Sequence, residues 1–104
     1  MPADASDQPY VVESTGIARE QLRAILRRAI RGDEYDVILA AIRRIQARLA
    51  ADARAVGDPI YRLRRIKMDV LHFVDSPLYV QYGIPNGRRL AVIRRFVRMT
   101  AVPG

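Results

Sequence analysis

At Gly57-Asp58-Pro59 the spacing of apolar residues changes from that of a helix to that of a strand, and this switch limits the folds open to the chain. Upstream, Leu22, Ile25, Leu26, Ala29 and Ile30 fall at i, i+3, i+4, i+7 and i+8, the stripe of one helix face. Ile38, Ala41, Ile42, Ile45, Leu49 and Ala53 repeat the pattern. Gly32 sits where a helix C-cap glycine would. Asp33 is placed to cap the next helix, and Glu34 and Asp36 add negative charge to its first turn. Amphipathic helices joined by about two residues make an antiparallel hairpin. Neither is stable until its stripe is covered.

Downstream the apolar residues alternate. Tyr61 and Leu63 share one side, and Ile66, Met68, Val70, His72 and Val74 share the other, which predicts one long strand with a bulge near Arg64-Arg65. On that phase His72 faces the helix–sheet core. Asp75-Ser76-Pro77 turns the chain, after which Leu78, Val80, Tyr82 and Ile84 alternate with Tyr79 and Gln81. Pro85-Asn86-Gly87 is a hairpin signal, because Asn-Gly tolerates positive φ. The last strand runs from about Arg89 to Val97. A two-residue loop sets Val80 against Ile93 and Tyr79 against Arg94, whereas a three-residue loop sets Ile93 against Tyr79. Both registers stay open. Tyr10-Val11-Val12-Glu13, closed by Gly16, reads as a short strand. The expected order is an N-terminal strand, an antiparallel helix hairpin, then a three-stranded antiparallel sheet (β-α-α-β-β-β). That is an α+β domain over residues 10–99, with its helices on one face of the sheet. Residues 1–9 are expected to be a disordered N-terminal tail and 100–104 a C-terminal tail.

Charge is unevenly spread: residues 1–16 carry −3, residues 17–57 carry +4 and residues 58–104 carry +6. Such a field favours nucleic acid, an acidic protein or an anionic membrane surface. Of the 18 basic residues all but Lys67 are Arg, whose planar fork binds two phosphate oxygens at once. A GC-rich genome would produce the same bias without a function. The absence of Cys removes disulfides, thiolate catalysis and thiolate zinc sites, and one His cannot build a metal site alone. No metal or cofactor is therefore expected. No apolar run approaches the ~18 residues of a membrane span, and no leader pattern opens the chain. A cytoplasmic protein with no membrane partner is the simplest expectation.

This order, in a short basic domain ending in a Pro-Asn-Gly hairpin, resembles the RelE/ParE toxins of type II toxin–antitoxin pairs. The likeness rests on Asp58-Pro59 leading into Tyr61-Arg62-Leu63, and on Ser76-Pro77-Leu78-Tyr79-Val80-Gln81-Tyr82, similar to the family's turn into its third strand. Arg89-Leu90-Ala91-Val92-Ile93 looks like its final strand. The resemblance implies a toxin neutralised by a cognate antitoxin protein. Its target would be messenger RNA on the ribosome, cut without a metal as by RelE, or DNA gyrase, inhibited as by ParE. In the cutting members, basic residues on the concave sheet hold the phosphates, assist attack by the 2′-OH and steady the developing charge. The family's basic pair late in the second strand falls near Val70 and His72, and a basic residue just past the last strand is kept at about Arg98. Tyr79 stands where a basic residue is usual, and only Thr100-Ala101-Val102-Pro103-Gly104 follow Met99, without the acid/base Tyr or His of many cutting members. An endoribonuclease and a non-catalytic module binding RNA, DNA or an acidic partner both stay open.

The catalytic candidates are His72, Arg94 and Arg98; the nucleic-acid-binding candidates are Arg62, Arg64, Arg65, Lys67, Tyr79 and Arg95. Histidine is the residue type that changes charge near neutral pH, so proton transfer looks first to His72. The alternative is a core or edge histidine. The run from Arg62 to Lys67 is either an anion site or a solvated edge strand that discourages sheet-to-sheet pairing. Arg94 and Arg95 interrupt what should be a buried strand, so at least one points away from the helices. Tyr79 beside an Arg could stack a base, or form an ordinary cross-strand pair. Apolar residues on the second sheet face need cover, from an antitoxin segment or, in isolation, from a second copy in a homodimer.

Overall fold

Thr15 begins the first helix: its Oγ1 accepts the Ala18 N–H at 3.1 Å, and α1 runs Gly16–Arg31 in the computed structural model, which describes residues 8–99. Gly32 makes the last helical bond, its N–H to the Arg28 carbonyl at 3.0 Å, and the Glu34 N–H closes the end on the Ala29 carbonyl at 2.8 Å. Asp33 turns the chain in the left-handed region (φ 59°), so the N-cap place of α2 (Tyr35–Val56) passes to Glu34. The expected α2 stripe, from Ile38 to Ala53, is buried throughout, whereas Ile30 at the end of the α1 stripe is exposed.

The strands are β1 (Val11–Ser14), β2 (Asp58–Leu63), β3 (Met68–Asp75), β4 (Leu78–Pro85) and β5 (Leu90–Arg98), in the spatial order β1-β5-β4-β3-β2. β1 runs parallel to β5, and the other neighbours are antiparallel. The helix hairpin is thus followed by four strands rather than three. The expected bulge at Arg64-Arg65 is a tight turn: Lys67 is left-handed (φ 48°) and its N–H donates to the Arg64 carbonyl at 3.3 Å. This folds β2 back on β3, with Leu63 opposite Met68, and a true irregularity falls between Pro59 and Tyr61.

Neither expected register of the last hairpin occurs. Residues 86–89 connect the strands, with Gly87 at φ 72° and the Arg88 N–H donating to the Pro85 carbonyl at 3.2 Å. Gly83 lies opposite Val92 and Tyr79 opposite Val97, and between them a bulge sets two residues, Arg94 and Arg95, against Gln81.

Both helices cover one sheet face, where Leu71, Phe73, Leu78, Val80, Tyr82, Ile84, Ala91, Ile93 and Phe96 join the helix stripes in the core. The β3 residues of this face are Asp69, Leu71, Phe73 and Asp75, and His72 points the other way. The apolar phase misled because both faces of β3 are apolar at their centre and the covered one carries an acid at each end. Those acids are held by arginines of α2 and β2: Arg54 of α2 and Arg62 of β2 lie 3.2 and 2.6 Å from Asp69, and Arg44 and Arg48 of α2 lie 2.9 and 3.4 Å from Asp75. The hydrogen bonds from Arg62 and then Arg54 hold the Asp69 carboxyl below the usual aspartate range.

Tyr82 Oη, fully buried, donates to the Ala53 carbonyl at 2.5 Å, just beyond the non-helical Asp52 (φ −163°, ψ 88°) where α2 kinks. Burial pushes the Tyr82 phenol up to about 12. A raised phenol stabilises the fold fully below its unfolded value of about 10 and loses that contribution as pH rises through the folded value. Tyr82→Phe should lower unfolding free energy by about 1–2 kcal/mol at pH 7. It should also remove the loss of stability that wild type shows between about pH 10 and 12, both measurable by urea titration.

The expected tail at 1–9 lies outside the described residues except for Gln8 and Pro9, and that at 100–104 lies wholly outside them. No helix among the described residues is long and apolar enough to cross a membrane.

Candidate functional site

Alternation along β3 and β4 puts Met68, Val70, His72, Val74, Tyr79, Gln81 and Gly83 on the sheet face away from the helices. Cross-strand register then aligns Asp58, His72, Gln81 and Arg95 in one row over β2, β3, β4 and β5. With strands ~4.8 Å apart, the His72 and Arg95 backbones are ~10 Å from each other.

His72 is not alone in the row. Its Nδ1 lies 2.8 Å from Tyr79 Oη, and the two rings meet edge to face, centroids 5.5 Å apart and planes at 88°. Tyr79 is one diagonal step away, since Val74 faces Tyr79 while His72 faces Gln81. When the phenol donates to Nδ1, the imidazole proton sits on Nε2; when Nδ1 donates, the phenol oxygen is left as acceptor. The hydrogen bond can therefore run in either direction. His72 is held through its backbone as well: a Cβ on Gly57 would come within 2.9 Å of the His72 carbonyl and 2.5 Å of Tyr82 Oη.

The bulge supplies the charge. Arg95 is exposed; Arg94 is half-buried, and its Nη1 is shut off from water with no hydrogen-bond partner. Neither arginine has an ion-pair partner among the described residues. A guanidinium N–H left unpaired out of water is costly.

The structure thus gathers His72, Tyr79, Arg94 and Arg95 of the sequence candidates. It does not bring Arg62 or Arg98 to them. Arg62 lies on the helix side against Asp69. Arg98 forks onto Glu34, with Nη2–Oε1 2.6 Å and Nε–Oε2 3.2 Å, and also donates to the Met99 carbonyl. It fastens the end of β5 to the turn between α1 and α2. Arg64, Arg65 and Lys67 occupy the β2–β3 turn, beyond the end of the row. Sequence reasoning passed over Asp58 and Gln81 as site residues. Alternation already put Gln81 opposite the core, but only the register showed its place between His72 and Arg95.

A chain of the toxin–antitoxin complex RelBE2 from Mycobacterium tuberculosis is similar in structure. The TM-score is 0.67 at 20% sequence identity, over 90% of this chain and 95% of that one. The fold is accordingly RelE-like and α+β, as the resemblance implied, with one more strand after the helices than expected. No protein-family model matches the chain, and no curated protein matches it significantly.

Proposed function

We propose that this chain is the toxin-like component of a toxin–antitoxin pair and that its uncovered sheet face binds and cuts single-stranded RNA without a metal. One observation carries the reading: a hydrogen-bonded His72–Tyr79 pair shares a sheet face with the bulge at Arg94 and Arg95, arginines with no ion-pair partner of their own. The likeness to a chain of a toxin–antitoxin complex supports an antitoxin partner.

In this mechanism Arg94 and Arg95 hold the non-bridging oxygens of the scissile phosphate and balance the charge of the transition state. Tyr79 Oη takes the 2′-OH proton while passing its own to His72 Nδ1. The 2′-oxygen bonds to phosphorus, the bond to the 5′-oxygen breaks, and imidazolium Nε2–H protonates that leaving oxygen. The products are a 2′,3′-cyclic phosphate and a 5′-hydroxyl. Stacking of a base on Tyr79 would compete with this role.

The test is cleavage of single-stranded RNA in excess EDTA and, separately, of messenger RNA on ribosomes in magnesium buffer. Cyclic phosphate ends are expected, with Arg95→Gln and Arg94→Gln each slowing the reaction by about 100-fold. Arg62→Gln, remote from the row, should stay within about threefold. Binding that is steep in salt but never followed by cleavage would instead favour the non-catalytic module. Growth arrest on expression, relieved by the product of a neighbouring gene, tests the antitoxin half of the proposal.

A further inference from the structure

At the end of the sheet beyond the His72 row, two turns lie side by side. The Asn86 N–H donates to the Lys67 carbonyl at 2.7 Å, tying the β4–β5 turn to the β2–β3 turn. Arg64, Arg65, Lys67 and Arg88 are exposed on these turns, and none has an ion pair or side-chain hydrogen bond among the described residues. The acids of β3 and of the α1–α2 turn are already engaged by other arginines: Asp75 by Arg44 and Arg48, Asp69 by Arg54 and Arg62, Glu34 by Arg98. The closest acid along β3, Asp69, is thus already taken. Glu13 lines one cleft of about 390 Å³ with Arg88 but stands outside ion-pair distance. The turns that gather these cations are not conformationally free, since Lys67 is held at φ 48°, a region that side chains other than glycine seldom occupy.

What such a patch lacks identifies its ligand. Residues 64–68 and 85–89 contain no aromatic ring. Tyr10 is buried beneath the Arg89 guanidinium, 4.5 Å from its centroid, and the exposed Tyr61 lies back on β2 rather than in either turn. Proteins that grip single strands rely on aromatic platforms for the bases. A duplex hides its bases and offers a regular lattice of phosphates, which cations alone can bind. Ile66, 59% exposed between Arg65 and Lys67, is a single apolar contact, too little to seat a bilayer. We propose that Arg64, Arg65, Lys67 and Arg88 form a docking site for the phosphate backbone of a nucleic-acid duplex, distinct from the His72 row. Along β3, Lys67 is ~17 Å from His72, so both surfaces can be occupied at once. The inference requires no cleavage and stands or falls apart from it.

Fluorescence anisotropy over a salt series tests it, with an RNA duplex of about 16 base pairs, a DNA duplex of equal length and one RNA strand alone. Both duplexes, or one of them, should bind more tightly than the single strand, and their ranking identifies whether the 2′-hydroxyls contribute. Arg64→Gln/Arg65→Gln/Arg88→Gln should weaken duplex binding at least about 30-fold at moderate salt and flatten the salt slope by about 2.7. Arg95→Gln should leave duplex binding intact while weakening the single strand. Arg64→Gln and Arg88→Gln, one from each turn, serve if the triple variant fails to fold, each flattening the slope by about 0.9. The proposal is overturned if neither duplex binds, if the triple variant weakens the single strand as much as the duplex, or if it keeps wild-type duplex affinity and slope.

Discussion

Gly57→Ala is expected to lower unfolding free energy by about 2–4 kcal/mol, a large share of what a domain of this size holds in reserve. The cause is space rather than backbone strain, since φ −103° and ψ 167° suit any residue. A methyl group there would meet Tyr82 Oη at 2.5 Å, the His72 carbonyl at 2.9 Å and Tyr82 Cε1 at 3.0 Å. None of these is a flexible side-chain end. The tyrosine is buried and bonded to Ala53, and the carbonyl belongs to the middle of β3. Relief would push β2 away from β3 where Asp58 and His72 pair. Thermal and urea unfolding read the stability. A variant that keeps wild-type stability would mean that α2 and β2 separate more easily than their contacts indicate.

The largest effect on turnover is expected at Tyr79. Tyr79→Phe keeps the ring and its packing on His72 but removes the oxygen 2.8 Å from Nδ1. Cleavage should fall by about 100- to 1,000-fold, chiefly in kcat, with His72→Ala costing a similar factor. The double variant should be scarcely worse than either single one, because one proton path is broken in each case. A pair that only stabilises the sheet would act differently: both changes would lower the melting temperature, their effects would add, and the cleavage rate of the folded fraction would hold. Measuring kcat, KM and melting temperature on the three variants separates these outcomes.

The helices were legible because a buried stripe on a solvated helix leaves a 3.6-residue period, and α2 buries the stripe from Ile38 to Ala53 as read. The strands were legible as a period of about two but not as positions. Alternation identifies two faces without saying which is covered, and β3 has valine and methionine on one, leucine and phenylalanine on the other. Its covered face was hidden by Asp69 and Asp75, whose pairing with helix arginines depends on contacts between distant parts of the chain. The same holds for Arg98, whose partner Glu34 is 64 residues away. The bulge that sets Arg94 and Arg95 together against Gln81 has no local signature, and without it the final hairpin could not be aligned. The Arg64–Lys67 turn lacks Gly, Asn, Asp and Pro, the usual turn residues, so a continuous strand was the natural reading.

The spatial order of the strands sets when the face that carries His72 becomes complete. Asp58, His72, Gln81 and Arg95 come from four successive strands, and β5 is wedged between β4 and the first strand of the chain. The row is therefore incomplete until residues 90–98 have been made and have slotted into the gap beside β1. A chain cut short upstream of that point lacks both Arg95 and the strand that joins β1 to the rest of the sheet.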